Sequence, residues 1–280
     1  MVGGSPVLKW CKTHKMATTG ILLLFVLAVA TIMIPLISPY TYSAQDASLK
    51  NMPGSLSHLF GTDKLGRDIF VRVWYGTRVS LLIGLGSAVI NGIIGVVYGG
   101  MAGYIGGKAD MLLMRIADII ASIPSLLYVI LITLVLEASV TSILIGICVA
   151  GWISTARIVR GEILRIKEME YVLAARMSAV PEKMIFLKHI LPGVAGPVIV
   201  NLTFLIPQAI FTEAFLSFVG IGISAPTASL GSLIQDAVSQ VQLYPSQMIY
   251  PILVLSLLVV SISFIGTDME REFGSRKKGA

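Results

Sequence analysis

The chain has 280 residues and a net charge of +6, and it is 55% hydrophobic but only 13% charged. Ordinary soluble domains carry roughly 25% charged residues, whereas here neutral stretches such as Ala17–Gln45, Val79–Gly107 and Ala237–Thr267 separate small charged islands. Such clumping excludes a water-soluble protein of one or two domains.

A helix needs about 20 apolar residues to cross about 30 Å of hydrocarbon. Six stretches qualify, near 17–38, 80–103, 113–135, 139–159, 197–219 and 248–268. The fold class is therefore an all-α polytopic membrane protein with six transmembrane helices. The first stretch is longer than the roughly 7–15 apolar residues of a secretory signal, and it runs into Pro35 and Pro39 rather than a small-residue cleavage site, so it reads as an anchor. Cys11 and Cys148 have no metal spacing and are expected to sit at different depths, which predicts no disulfide.

Six crossings put both termini on one side. With the N-terminus in the cytoplasm, sixteen of the twenty-one basic residues fall in inner segments, as the positive-inside rule demands. The positive charge thus reports topology, not nucleic-acid binding. The five outer exceptions, Lys50, Lys64, Arg67, Arg72 and Arg78, lie between the first two spans. Three of them flank the amphipathic run IFVRVWYGTR, which is expected to lie along the outer headgroups with Trp74 and Tyr75 as anchors. The chain divides into an N-terminal segment with the first span and outer loop (1–78), a core of five spans (79–268) holding a cytoplasmic loop at 160–192, and a basic cytoplasmic tail (269–280).

Span two carries Gly95, Gly99, Gly103 and Gly107 at every fourth position, with Gly84, Ala88 and Gly92 as a second small stripe. This spacing lets another helix approach closely, within the bundle or at a subunit interface. Arg115 and Asp118 in span three are three residues apart and are expected to pair locally. Both also remain candidates for a polar contact or a pathway role. Glu213 is an isolated carboxylate in span five, hence a candidate for the translocation path or for a hydrogen bond between helices. After it, Gly220, Gly222, Pro226 and Gly231 break the chain into either a re-entrant scoop or a plain outer loop.

The cytoplasmic interlude 157–192 holds seven basic and four acidic residues. Ile163, Ile166, Met169, Leu173 and Met177 share an arc of about 120° at helical spacing, predicting one helix through them. It ends in small residues (Ala174, Ala175, Ser178, Ala179), and Pro181 opens a second helix. The result is a helix–turn–helix knuckle with a close-contact surface for a partner groove, or else an ordinary solvated loop.

Residues 170–192, EYVLAARMSAVPEKMIFLKHILP, resemble the EAA motif of bacterial ABC importer permeases. Ala174, Ala175, Leu191 and Pro192 match it. Leu173 replaces its Glu, Ala179 its Gly, and His189 its Ile. Alanine resists the positive φ that glycine permits by about 1 kcal/mol or more, so the turn geometry is expected to differ at Ala179. Three further stretches, HLFGTDKLGRDIFVRVWYGTRVSLLIG (58–84), AGYIGGKADMLLMRIADIIASIPSLL (102–127) and LSFVGIG (216–222), are similar to the DppC/OppC-type peptide permeases, although Leu230 stands where that family keeps Trp.

The resemblance implies a type I ABC importer permease fold in a bacterial cytoplasmic membrane. It implies pairing with a B-type permease subunit, two ATPase subunits docked on Ala174, Ala175, Arg176, Ser178, Ala179, Val180, Pro181 and Glu182, and an extracytoplasmic binding protein. ATP and Mg would be bound by the ATPase subunits. This chain has no G-x-x-x-x-G-K-[ST] loop and is expected to need no cofactor of its own. Di- or oligopeptides are the implied substrates. Nickel permeases share these motifs, and a secondary carrier or channel would be the reading from another class.

Overall fold

The computed structural model describes residues 6–223 and 225–278. Ser224 and the chain ends, including the last residues of the expected basic tail, lie outside the described residues. Apart from one isolated Thr62–Asp68 bridge, every regular element among the described residues is helical. In chain order the helices are α1 (Pro6–Thr13), α2 (Lys15–Ile37), α3 (Ile69–Ile105), α4 (Gly107–Ala121), α5 (Ser125–Val135), α6 (Val140–Lys167), α7 (Glu170–Met177), α8 (Glu182–Ile185), α9 (Leu191–Phe218), α10 (Leu230–Val238) and α11 (Ser246–Lys278). A π turn, Phe186–Ile190, joins α8 to α9.

Five segments among the described residues are long and apolar enough to cross a membrane, and a sixth crossing results if α4 and α5 count as one. That third span is not straight. It bends by 70° between Ala121 and Ser125, where Pro124 supplies no N–H and pushes the residue before it out of helical geometry. By itself α5 is about 16 Å long at ~1.5 Å per residue, roughly half of a bilayer core.

The second span is longer than expected. Residues 69–78 do not lie along the headgroups but form the first turns of α3, a single helix of 37 residues. Asp68 caps it, its Oδ1 accepting the Val71 N–H at 2.8 Å while Oδ2 meets His58 Nδ1 at 2.7 Å. The buried arginines explain the departure. Arg67 and Arg72 are 4% and 2% exposed, and both guanidinium groups donate to Asp236 Oδ2 of α10, at 2.8 and 3.3 Å. Arg67 Nε also donates to Asp63 Oδ2 at 2.6 Å, and Lys64 lies 3.8 Å from Asp236. Three of the five basic residues that break the positive-inside pattern are therefore paired with two carboxylates.

The glycine stripes of α3 pack inside the bundle. A Cβ on Gly95 or Gly99 would strike the α6 backbone at Trp152 or Ala156, and one on Gly103 would press on Arg160. The second stripe faces α9: Gly84 meets Ile206 and Ile210, and Gly92 meets Leu202. Gly107 has open space around it and belongs instead to the Gly106–Gly107 turn, where both residues have positive φ. Helix α3 is thus the central post, with α6 and α9 on its two small faces.

At the end of α3 away from the 160–192 loop, Leu27, Ile69, Val73, Ile210, Leu230 and Leu258 form one core that joins α2, α3, α9, α10 and α11. The glycine-rich segment after α9 does fold back as a scoop. Ser229 and Ser232 form a capping box at the start of α10, and Gly231 lies so close to Ala214 that a Cβ would collide with its backbone.

Candidate functional site

The knuckle expected in the cytoplasm departs from a single helix. Lys167 ends α6, Met169 is extended, and α7 restarts at Glu170. Ile163 and Ile166 are buried, whereas Leu173 and Met177, expected on the same face, are exposed. The break turns α7 so that Val172 takes the inward position. Val172, Ile185 and Ile190 are completely buried with Val159, Ile163, Ile166, Val194 and Val198, a core spanning α6 to α9. Lys167 Nζ donates to the Tyr104 carbonyl at 2.9 Å, tying the end of α6 to the end of α3. The knuckle is fused to the bundle.

Its turn is a Schellman motif. The Val180 N–H donates to the Ala175 carbonyl at 3.2 Å, and the Ala179 N–H to the Arg176 carbonyl at 3.0 Å. Val180 and Ala175 both pack on the buried core, supplying the apolar contact usual for this motif. Pro181 then prevents continuation. Ala179 has φ 57°, so the turn keeps the left-handed conformation that a glycine would take, against the expectation of a different geometry. The six-residue hydrogen bond and the apolar clasp hold it there. Ala179→Gly is accordingly expected to stabilise the knuckle by about 1 kcal/mol, read as roughly fivefold slower hydrogen exchange at the Val180 amide. Faster exchange would contradict the assignment.

Around the turn, Arg176 Nε donates to Glu182 Oε1 at 3.0 Å, and Tyr104 Oη of α3 donates to Glu182 Oε2 at 3.3 Å. The Ser178 hydroxyl donates back to the Ala174 carbonyl at 2.9 Å. Ala174, Met177, Ser178, Ala179 and Pro181 are exposed, while Ala175, Arg176 and Val180 are half-buried. Met177 is 90% exposed, so the tip presents one large apolar side chain among small ones. Sequence reasoning placed Met177 on the inward arc and missed this.

The other polar residues separate. Asp118 does not pair with Arg115: its Oδ1 accepts Arg157 Nη2 of α6 at 2.8 Å. Arg115 is exposed and forms no ion pair among the described residues. The neighbouring Arg160 makes a two-pronged bond to Asp110, its Nη2 at 2.7 Å from Oδ2, so α4 is held to α6 by two ion pairs. Helix α6 offers partners that a local reading of α4 cannot see. Glu213 is fully buried at the end of the bundle away from the knuckle, accepting from Ser80 of α3 and Ser217 of α9, each at 2.8 Å. Ser217 in turn accepts from Ser229, the cap of α10, at 3.4 Å. The carboxylate thus gathers α3, α9 and the scoop.

Comparison with known proteins matches this architecture. The family described as binding-protein-dependent transport system inner membrane component matches residues 95–272. The N-terminal TM domain of oligopeptide transport permease C matches residues 9–53. The oligopeptide transport system permease protein OppC of Bacillus subtilis is 40% identical over 258 residues, covering 92% of this chain and 85% of that protein. The dipeptide transport system permease protein DppC of the same species is 40% identical over 260 residues, covering 92% and 81%. OppC of Escherichia coli K12 is 35% identical over 258 residues, covering 91% and 85%. With a knuckle fused to one end of a bundle of five continuous spans and one broken one, the chain belongs to the inner-membrane permease family of binding-protein-dependent ABC importers, and it has their type I fold.

Proposed function

We propose that the chain is one of two permease subunits of an ATP-driven importer of di- or oligopeptides. Its partner is a B-type permease, an extracytoplasmic binding protein delivers the peptide, and both termini are cytoplasmic. Two ATPase subunits bind ATP and Mg and dock on residues 174–182. The observation that carries this reading is the knuckle itself. Its exposed tip of small residues and Met177 suits a partner groove, and its buried base in α6, α7 and α9 passes any push directly into the bundle. ATP-driven closure of the ATPases thereby biases the bundle between two access states. The peptide class is supported by the names of the relatives, which are oligopeptide and dipeptide permeases.

The test is uptake of labelled tetra-alanine into proteoliposomes holding the whole importer. Uptake is expected only with ATP, the binding protein and all subunits present, and is expected to survive collapse of a proton gradient. Uptake without the ATPases, or driven by protons, would contradict the reading.

A further inference from the structure

A second polar feature lies away from the knuckle. Asn91 of α3, Ser125 at the start of α5, Ser154 of α6, and Gln208 and Thr212 of α9 line one cavity of about 190 Å³. No charged side chain lines it. Gly151, in its wall, lies eleven residues into α6, roughly 16 Å at ~1.5 Å per residue and so near the middle of a bilayer core about 30 Å thick. Ser125, Ser154 and Gln208 are exposed on the surface of the chain. Hydrocarbon offers a side-chain amide no partner, so this face borders protein or the transport path rather than lipid.

Two of the three hydroxyls are satisfied locally: Thr212 donates to the Gln208 carbonyl at 2.9 Å, and Ser154 to the Gly151 carbonyl at 3.3 Å. The two amides are not. Asn91 is 1% exposed, yet its Oδ1 has no hydrogen-bond partner, and the Gln208 amide bonds to none of the described residues. Buried polar groups in folded proteins are paired almost without exception, so an orphan at a cavity wall points to a ligand. Gly151 keeps the place open, because a Cβ there would lie 2.6 Å from Asn91 Nδ2. Opposite, α5 begins at Ser125 with no side-chain cap, which leaves backbone N–H donors at the same wall.

A primary amide is donor and acceptor at once, and pairs with a peptide bond as a second peptide bond would. A neutral site of this kind has no means of selecting charged side chains. We propose that the cavity reads the main chain of the peptide in transit, with Asn91 and Gln208 hydrogen-bonding its amide groups whatever its side chains. The inference rests on the peptide-import reading and deepens it.

The test uses the complete importer in proteoliposomes, with tetra-alanine and with tripeptides carrying one lysine or one glutamate as probes. Asn91→Leu and Gln208→Leu are expected to lower uptake of all three about fivefold, the worth of one net hydrogen bond, while ATP hydrolysis continues. Gln208→Glu is expected to raise the ratio of lysine- to glutamate-peptide uptake about tenfold through a charge facing the path. Gln208 is exposed, so its substitutions keep the test decisive even if Asn91→Leu fails to assemble. Unchanged uptake in Gln208→Leu, a loss confined to one peptide, or an unchanged ratio in Gln208→Glu would each overturn the proposal. If the wild-type importer takes up none of the probes, the peptide-import reading itself fails.

Discussion

Asp63→Ala is expected to lower the stability of the bundle by about 3–5 kcal/mol, a large share of the ~5–15 kcal/mol available to a folded domain. The carboxylate is 7% exposed and serves both the loop and the cage. Oδ1 accepts the Leu65 and Arg67 N–H groups at 2.8 and 3.0 Å, and Oδ2 accepts Arg67 Nε at 2.6 Å. Arg72 Nε, which has no hydrogen-bond partner, relies on the same Oδ2 at 3.8 Å for charge compensation. Without Asp63, two buried guanidinium groups share Asp236 alone. The energy lost is that of an uncompensated buried charge rather than of one hydrogen bond. Removing the positive charges as well, in Asp63→Ala with Arg67→Leu and Arg72→Leu, is therefore expected to recover part of the loss. Thermal unfolding in detergent measures both. A loss below ~1 kcal/mol for the single variant, or a triple variant less stable than the single, would show that the cage does not hold the outer end together.

A charge at the knuckle tip is expected to abolish transport while leaving the bundle folded. Met177 lies outside the buried core and is 90% exposed, so Met177→Asp changes stability by no more than ~0.5 kcal/mol, as for an ordinary surface substitution. In a partner groove, the same aspartate would be desolvated without a counter-charge. Loss of a central apolar anchor together with that penalty amounts to about 2–4 kcal/mol of docking free energy, between one and three powers of ten in affinity. Ala174→Glu should act alike from the neighbouring exposed position. Ala175→Glu is a poorer probe, because Ala175 packs against the core and the substitution would also loosen the Schellman turn.

The number of spans and their apolar centres were legible because charges leave gaps long enough to read, and lipid tolerates few charges within them. The bend in the third span was signalled only by Pro124, since nothing local says whether a proline kinks or breaks a helix. The outer amphipathic run was misread because the partner that buries Arg67 lies 169 residues away, at Asp236. Pattern alone gives an arginine the membrane surface by default. The break at Glu168–Met169 had no glycine or proline to announce it; burial of Val172 against α6 and α9 overrides the helical continuity that local propensity favours. Ala179 shows the reverse case, in which propensity argued against a geometry that the turn's own hydrogen bonds impose. At the knuckle, the small residues were visible but the direction of Met177 was not. Asn91 and Gln208 carried a readable signal, as uncharged polar residues inside apolar runs, but only packing shows that two helices bring them to one cavity.

The most direct measurement is co-purification of the ATPase subunits with this chain in detergent, from membranes holding the whole importer, compared for wild type, Met177→Asp and Ala174→Glu. With the knuckle as the docking site, wild type retains the ATPases and both variants lose them while still retaining the partner permease. Normal recovery of the ATPases with both variants would contradict the assignment of residues 174–182 as the point where the motor grips the bundle.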